Sequence, residues 1–267
     1  MNQIIGSIVW LTNAKDIVQI AFYIIIAIIT ILTFIRANKT LLQPIKTEIF
    51  KEQMKALSKA IELFGGKYEP ELTDDFGFEE IIYVNCHRML NDYSTEFFGQ
   101  NISLPPIESL QRFRLYEIPP HVTIQSFDKY ESERKKYDED SKEYCWLSMT
   151  FGDLLVPVKF YEAKKTLQML ESNPFLTKEL RNHIGEYLHR VHSNLILFRN
   201  ILHKNAMEMT SAYQTFEDFK KGNPMSIYQI SRMQFCPSND YKFLKEKANE
   251  IAKYINEYIK ADNLLKG

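Results

Sequence analysis

Glycine is scarce and scattered in this chain. There are nine in 267 residues, and no three fall within a six-residue window. A dinucleotide-binding turn needs several glycines for close backbone approach, and the P-loop needs Gly-x-x-x-x-Gly-Lys. Neither can be placed, so those two routes to nucleotide binding are excluded. Cysteine is also sparse. The three residues, Cys86, Cys145 and Cys236, are odd in number and far apart. They make no disulfide framework and suit a reducing compartment. Net charge is nearly absent, at −1, so no global field argues for nucleic acid or an acidic substrate. No Cys-x-x-Cys, no His-Glu-x-x-His, no low-complexity tract and no solenoid-period repeat is found. No cofactor is implied.

Charge is missing most sharply between Ile17 and Ile35, reading IVQIAFYIIIAIITILTFI. At about 1.5 Å per residue these residues would span roughly 28 Å, close to the hydrocarbon thickness of a bilayer. Their polar side chains are Gln19, Thr30 and Thr33, with the phenol of Tyr23. A core helix of this length would carry a polar stripe. A signal peptide would have a more basic start and a small-residue cleavage site. The stretch is therefore predicted to be a transmembrane helix. Residues 1–16 form a short extracytoplasmic or interfacial lead, in which Trp10 suits the membrane interface. Arg36, Lys39 and Lys46 follow the span closely, whereas Lys15 is the only basic side chain before it. That asymmetry predicts a single-pass protein of the inner or plasma membrane, N-terminus outside and the remainder cytoplasmic.

Beyond the span the pattern is mainly α. Residues 40–64 read as a juxtamembrane amphipathic helix. Pro44 sits in its first turn, Phe50, Met54, Leu57, Ile61 and Phe64 lie on one face, and Gly65-Gly66 ends it. Its lysines, interspersed with Glu48, Glu52 and Glu62, suit either a solvated face or anionic headgroups. Residues 67–261 read as a helical domain, with a candidate subdomain boundary near 100–125, where proline pairs interrupt the pattern. Lys67–Gly77 is expected to be a loop and 78–98 a helix whose apolar face includes Cys86, an inert buried thiol. Residues 128–144 are expected to form a solvent-facing helix or an insertion. Helices are expected from Pro157 to about Leu170 and from Thr177 to Met209, the latter central to the bundle. A last helix carries Tyr241 to Tyr258, with Ser238 or Asn239 as its cap.

Four of the six histidines lie on the longest soluble helix. His189, His192, Arg199 and His203 project from one side, away from the stripe of Leu180, Ile184, Tyr187, Val191 and Leu195. His189 and His192 are near enough to share a metal, but no third ligand accompanies them. Arg199-Asn200-Ile201-Leu202-His203 resembles the Arg-and-His motif of HEPN-type ribonucleases, helical domains that dimerise across an RNA backbone. That motif has four to six residues between Arg and His. Here there are three, while Arg181 and His189 are separated by seven. The resemblance implies RNA cleavage, with Arg199 stabilising a phosphate oxygen and His203 moving a proton.

The leading expectation is a membrane-anchored helical protein that works through protein–protein contacts, as an adaptor, regulator or effector. Microbial regulation or defence is a setting that would fit. Its partners would be the bilayer and a second protein or another copy of itself. DNA is not expected, and RNA only under the ribonuclease alternative.

Overall fold

The computed structural model describes residues 2–102, 113–117, 134–148, 153–222, 225–235 and 240–265. The protein is mainly helical, as its periodicity predicts. It divides into two compact units, 1–56 and 57–267.

The first unit is one continuous helical rod. Helix α1 runs Asn2–Ala37, a π-helical stretch covers Asn38–Leu42, and α2 runs Gln43–Phe64, crossing into the second unit. The sequence predicts a fresh helix start near Thr40 and Pro44. Instead the rod continues, and the π stretch ends at Leu42, two residues before Pro44. Proline lacks the N–H that an α-helix needs and its ring crowds the carbonyl four residues back; a widened turn relieves both. From Ile17 to Ile35 every side chain is exposed, the apolar ones all round the helix. This helix is long and apolar enough to cross a membrane. Two of its polar side chains bond within the helix. Thr30 Oγ1 donates to Ile26 O at 2.8 Å. Gln19 Nε2 donates to the Tyr23 hydroxyl at 3.3 Å, so the one amide in the span already has a partner on its own helix.

The second unit begins with the end of α2, where Leu57, Ala60 and Phe64 are buried. Helix α3 (Glu69–Asp75) occupies the segment expected to be a loop. Its short apolar content, chiefly Leu72, hides it from a periodicity test. Helix α4 spans Phe78–Phe98, as predicted. Strand β1 (Phe113–Glu117) and strand β2 (Asp153–Pro157) pair antiparallel, Leu115 opposite Leu155 and Tyr116 opposite Leu154. Helices α5 (Lys142–Ser148), α6 (Val158–Glu171), α7 (Lys178–Ala212), α8 (Phe216–Lys221), α9 (Met225–Phe235) and α10 (Leu244–Leu265) complete the unit. Residues 134–144, the described part of the segment expected to be a solvent-facing helix or an insertion, include no buried side chain, and 134–141 are mostly turn; the buried Trp146 and Leu147 of α5 lie just beyond them. Most of the expected boundary at 100–125 lies outside the described residues, as do 128–133.

Helix α7 is the axis of this unit and packs against α4, α5, α6, α9 and α10. Two aromatic clusters fill the core. Phe64 meets Tyr187 at 4.9 Å between ring centres, and Phe76 meets Phe160 at 5.8 Å. Further along, Tyr93 stacks on Phe97 at 4.3 Å and meets Trp146 edge-on at 5.1 Å.

Buried polar side chains fasten the elements. Asn85 on α4 donates to Leu155 O at 2.8 Å and accepts from Leu155 N at 2.9 Å, completing the free edge of β2. Asn194 on α7 does the same to Lys242, at 3.0 and 2.9 Å. The carboxylate of Glu69 accepts from Leu244 N at 3.0 Å, Lys245 N at 2.7 Å and the Tyr241 hydroxyl at 2.7 Å. A side chain distant in sequence thus satisfies the opening N–H groups of α10. Ser238 and Asn239, expected to cap that helix, lie outside the described residues.

Candidate functional site

The side chains proposed from sequence fall into two environments along α7. The second half of the helix is enclosed. Trp146 of α5 donates its indole N–H to Ala206 O at 2.9 Å, and Asn205 donates to Ser231 of α9 at 2.7 Å. The Tyr93 hydroxyl of α4 lies 3.1 Å from Met209 O and 2.9 Å from Tyr213 O. Arg199 and His203 sit inside this wrapping, 3% and 4% exposed. The exposed face expected for them is therefore corrected. The apolar stripe marks only part of the perimeter that the neighbouring helices cover.

Burial pushes the His203 imidazole down to about 4, and the charge of Arg199 adds to the effect. His203 is thus neutral at pH 7. An RNA phosphate would reach this pair only after the domain opened, so the geometry lends no support to RNA cleavage. Cys86 is buried on α4 as expected, and burial raises its thiol to about 12, which keeps it protonated and inert.

The first half of α7 borders a cleft of about 330 Å³. One wall is α6, whose Lys164, Gln168 and Glu171 recur at four and three residues and so share a side. The other wall is α7, with Gly185, Leu188, His189 and His192. Phe76 and Phe160 supply apolar floor. Tyr116 comes from β1, positioned through the chain of Asn85 holding β2 and β2 holding β1.

At the Tyr116 end the Lys164 ammonium donates to the phenol oxygen at 3.2 Å and lies 4.8 Å from the ring centre. The same oxygen stands 3.3 Å from His192 Nδ1. Burial, then the positive charge of Lys164, lowers the His192 pKa. A neutral His192 with a bare Nδ1 lets Tyr116 donate to it, leaving the Nε2 proton as a donor. At the opposite end, Glu171 lies against Gly185, where an added Cβ would stand 2.7 Å from Oε1. His189 is exposed and lines the same cleft. No group of three or more His, Cys, Asp or Glu capable of holding a metal occurs among the described residues.

Compared with family models, curated proteins and solved structures, the chain matches none of them.

The cleft therefore rests on its own geometry. His189 and His192 belong to it, whereas Arg199 and His203 do not. Sequence reasoning missed Lys164, Gln168 and Glu171, although their spacing beside the Phe160/Leu167/Leu170 stripe was a usable signal. Nothing local to Tyr116 pointed to α7. Of the residues expected at the membrane surface, Arg36, Lys39 and Lys46 are exposed beyond the span. The side chain of Trp10 lies outside the described residues.

Proposed function

We propose that the protein is a single-pass membrane protein whose helical domain faces the cytoplasm and acts by contact with other molecules rather than by breaking bonds. One observation carries this reading: between Ile17 and Ile35 the apolar side chains are exposed on every side of α1. Water would not tolerate that surface, and a bilayer buries all of it. The orientation rests on the exposed Arg36, Lys39 and Lys46 beyond the span, against Lys15 before it. The contact role is supported by burial of the Arg199 and His203 pair, which removes the one arrangement suggesting transfer chemistry. The partner would be a second protein or another copy of this chain.

Protease added to sealed inside-out vesicles should digest residues beyond Arg36. Full protection of the domain would reject the orientation, and extraction of the protein by carbonate would reject the anchor. Full-length protein purified in detergent should leave total RNA intact. Metal-independent cleavage lost in His203→Ala would overturn the contact reading.

A further inference from the structure

The α6–α7 cleft holds one cation and one anion that do not meet. Lys164 and Glu171 are seven residues apart on α6, about 10 Å along the axis at 1.5 Å per residue. Among the described residues neither has an ion-pair partner within 4.0 Å. Two lysines of the unit show what a paired cation looks like here. Lys159 reaches Glu80 at 2.6 Å and Asp74 at 3.1 Å, and Lys247 is held by Glu186 and Glu250. Lys164 is half-buried, whereas Gln168 and Glu171 are exposed at the mouth of the cleft. Here α7 stands opposite, with Gly185 giving the Glu171 carboxylate room.

We propose that this cleft binds a small bipolar organic molecule, a carboxylate or phosphate at one end and an amine at the other, joined by an apolar chain. The anionic end lies at Lys164 and His192. Lys164 spends one of its three N–H donors on Tyr116, and His192 offers its Nε2 proton. The amine lies at Glu171 and Gln168. The apolar middle lies over the half-buried Leu188, with the buried Phe76 and Phe160 rings beneath. A volume of about 330 Å³ is at the lower end of small-molecule pockets. This proposal does not depend on the membrane reading or on a protein partner.

The test uses the full-length protein in lipid nanodiscs. The probes are ω-amino carboxylates of increasing length, from 4-aminobutanoate to 8-aminooctanoate, with hexanoate and hexylamine as single-ended controls. Binding is read by isothermal calorimetry. Affinity should rise with length until both ends are reached, and each control should bind at least about tenfold more weakly. Lys164→Met and Glu171→Gln should each lower the affinity by about tenfold or more. Gly185→Ala is favourable for a helix and should fold, yet its methyl displaces the Glu171 carboxylate and should weaken the double-ended probes and hexylamine while leaving hexanoate unchanged. Absence of binding by every probe at 10 mM would overturn the proposal. So would equal binding by wild type and Gly185→Ala, or equal binding by single-ended and double-ended probes.

Discussion

Along α7, His189 and His192 border a cleft, whereas Arg199 and His203, two to three turns further on, are sealed among helices. The residue types are alike and the helix is continuous, so the contrast lies in the neighbours. Helix α10 holds one side of the first half, where Arg190 donates to Phe243 O at 2.7 Å and Lys247 donates to His183 Nδ1 at 2.8 Å. The side facing α6 stays partly open. In the second half α4, α5 and α9 close in. Burial there reaches Ile201 on one flank and His203 on the other, roughly 200° of the helix at about 100° per residue. A periodic stripe reports where a helix must be buried. It does not report how much further burial extends.

The sharpest way to break this comparison is to attack the shared stripe. Leu195 is buried where the two halves meet. Leu195→Ala should cost about 2–5 kcal/mol in urea unfolding of the full-length protein in detergent. A cost below about 1 kcal/mol would mean that α7 is not the axis of the core.

Acid should separate the halves next. The folded pKa of His203 lies below its unfolded value, so the unfolded state binds more protons between those values. Stability therefore rises with pH across that window and falls on acidification. Between pH 7 and pH 5 the loss from a histidine at about 4 against an ordinary 6.5 is about 2 kcal/mol. His192 and His87 shift in the same direction and add to the slope. His203→Gln should remove the largest part of it. An unchanged slope in that variant would place His203 in contact with solvent.

At the start of α7, Thr177 accepts from Leu180 N at 3.2 Å. Thr177→Ala should cost about 1 kcal/mol, the usual worth of a helix N-cap. Because this end is the more open one, the loss should appear first as faster hydrogen exchange over the opening turn. Uniform acceleration along α7 would show that the two halves open together.

The smallest effect is expected at the cleft. His189→Ala should change stability by less than about 0.5 kcal/mol, since the side chain is exposed. A larger loss would mean that the first half is as tightly held as the second.

Much of this was legible in the residues themselves. The apolar run from Ile17 to Ile35 marks a helix of membrane-spanning length, because nineteen uncharged residues without a polar stripe leave few other solutions. The periodicity of Phe78–Phe98, Val158–Glu171, Lys178–Ala212 and Leu244–Leu265 defines the main helices, since a helix must bury one face wherever it packs. Burial of Cys86 follows from the same rule. Short helices such as Glu69–Asp75, Phe216–Lys221 and Met225–Phe235 carry too few turns for that signal.

Only the tertiary structure decided which polar side chains are inside. Asn85, Asn194, Arg199 and His203 look like surface residues in sequence because polarity is read one position at a time. Their burial depends on partners tens of residues away: Leu155 for Asn85, Lys242 for Asn194, the enclosing helices for the other two. The cleft is of the same kind. Lys164, Glu171, His192 and Tyr116 come from three elements, and no local pattern specifies their meeting. The hydrophobic effect acts on each helix face separately and is therefore written into periodicity. Hydrogen bonds and charge placement act between elements and exist only once those elements have packed.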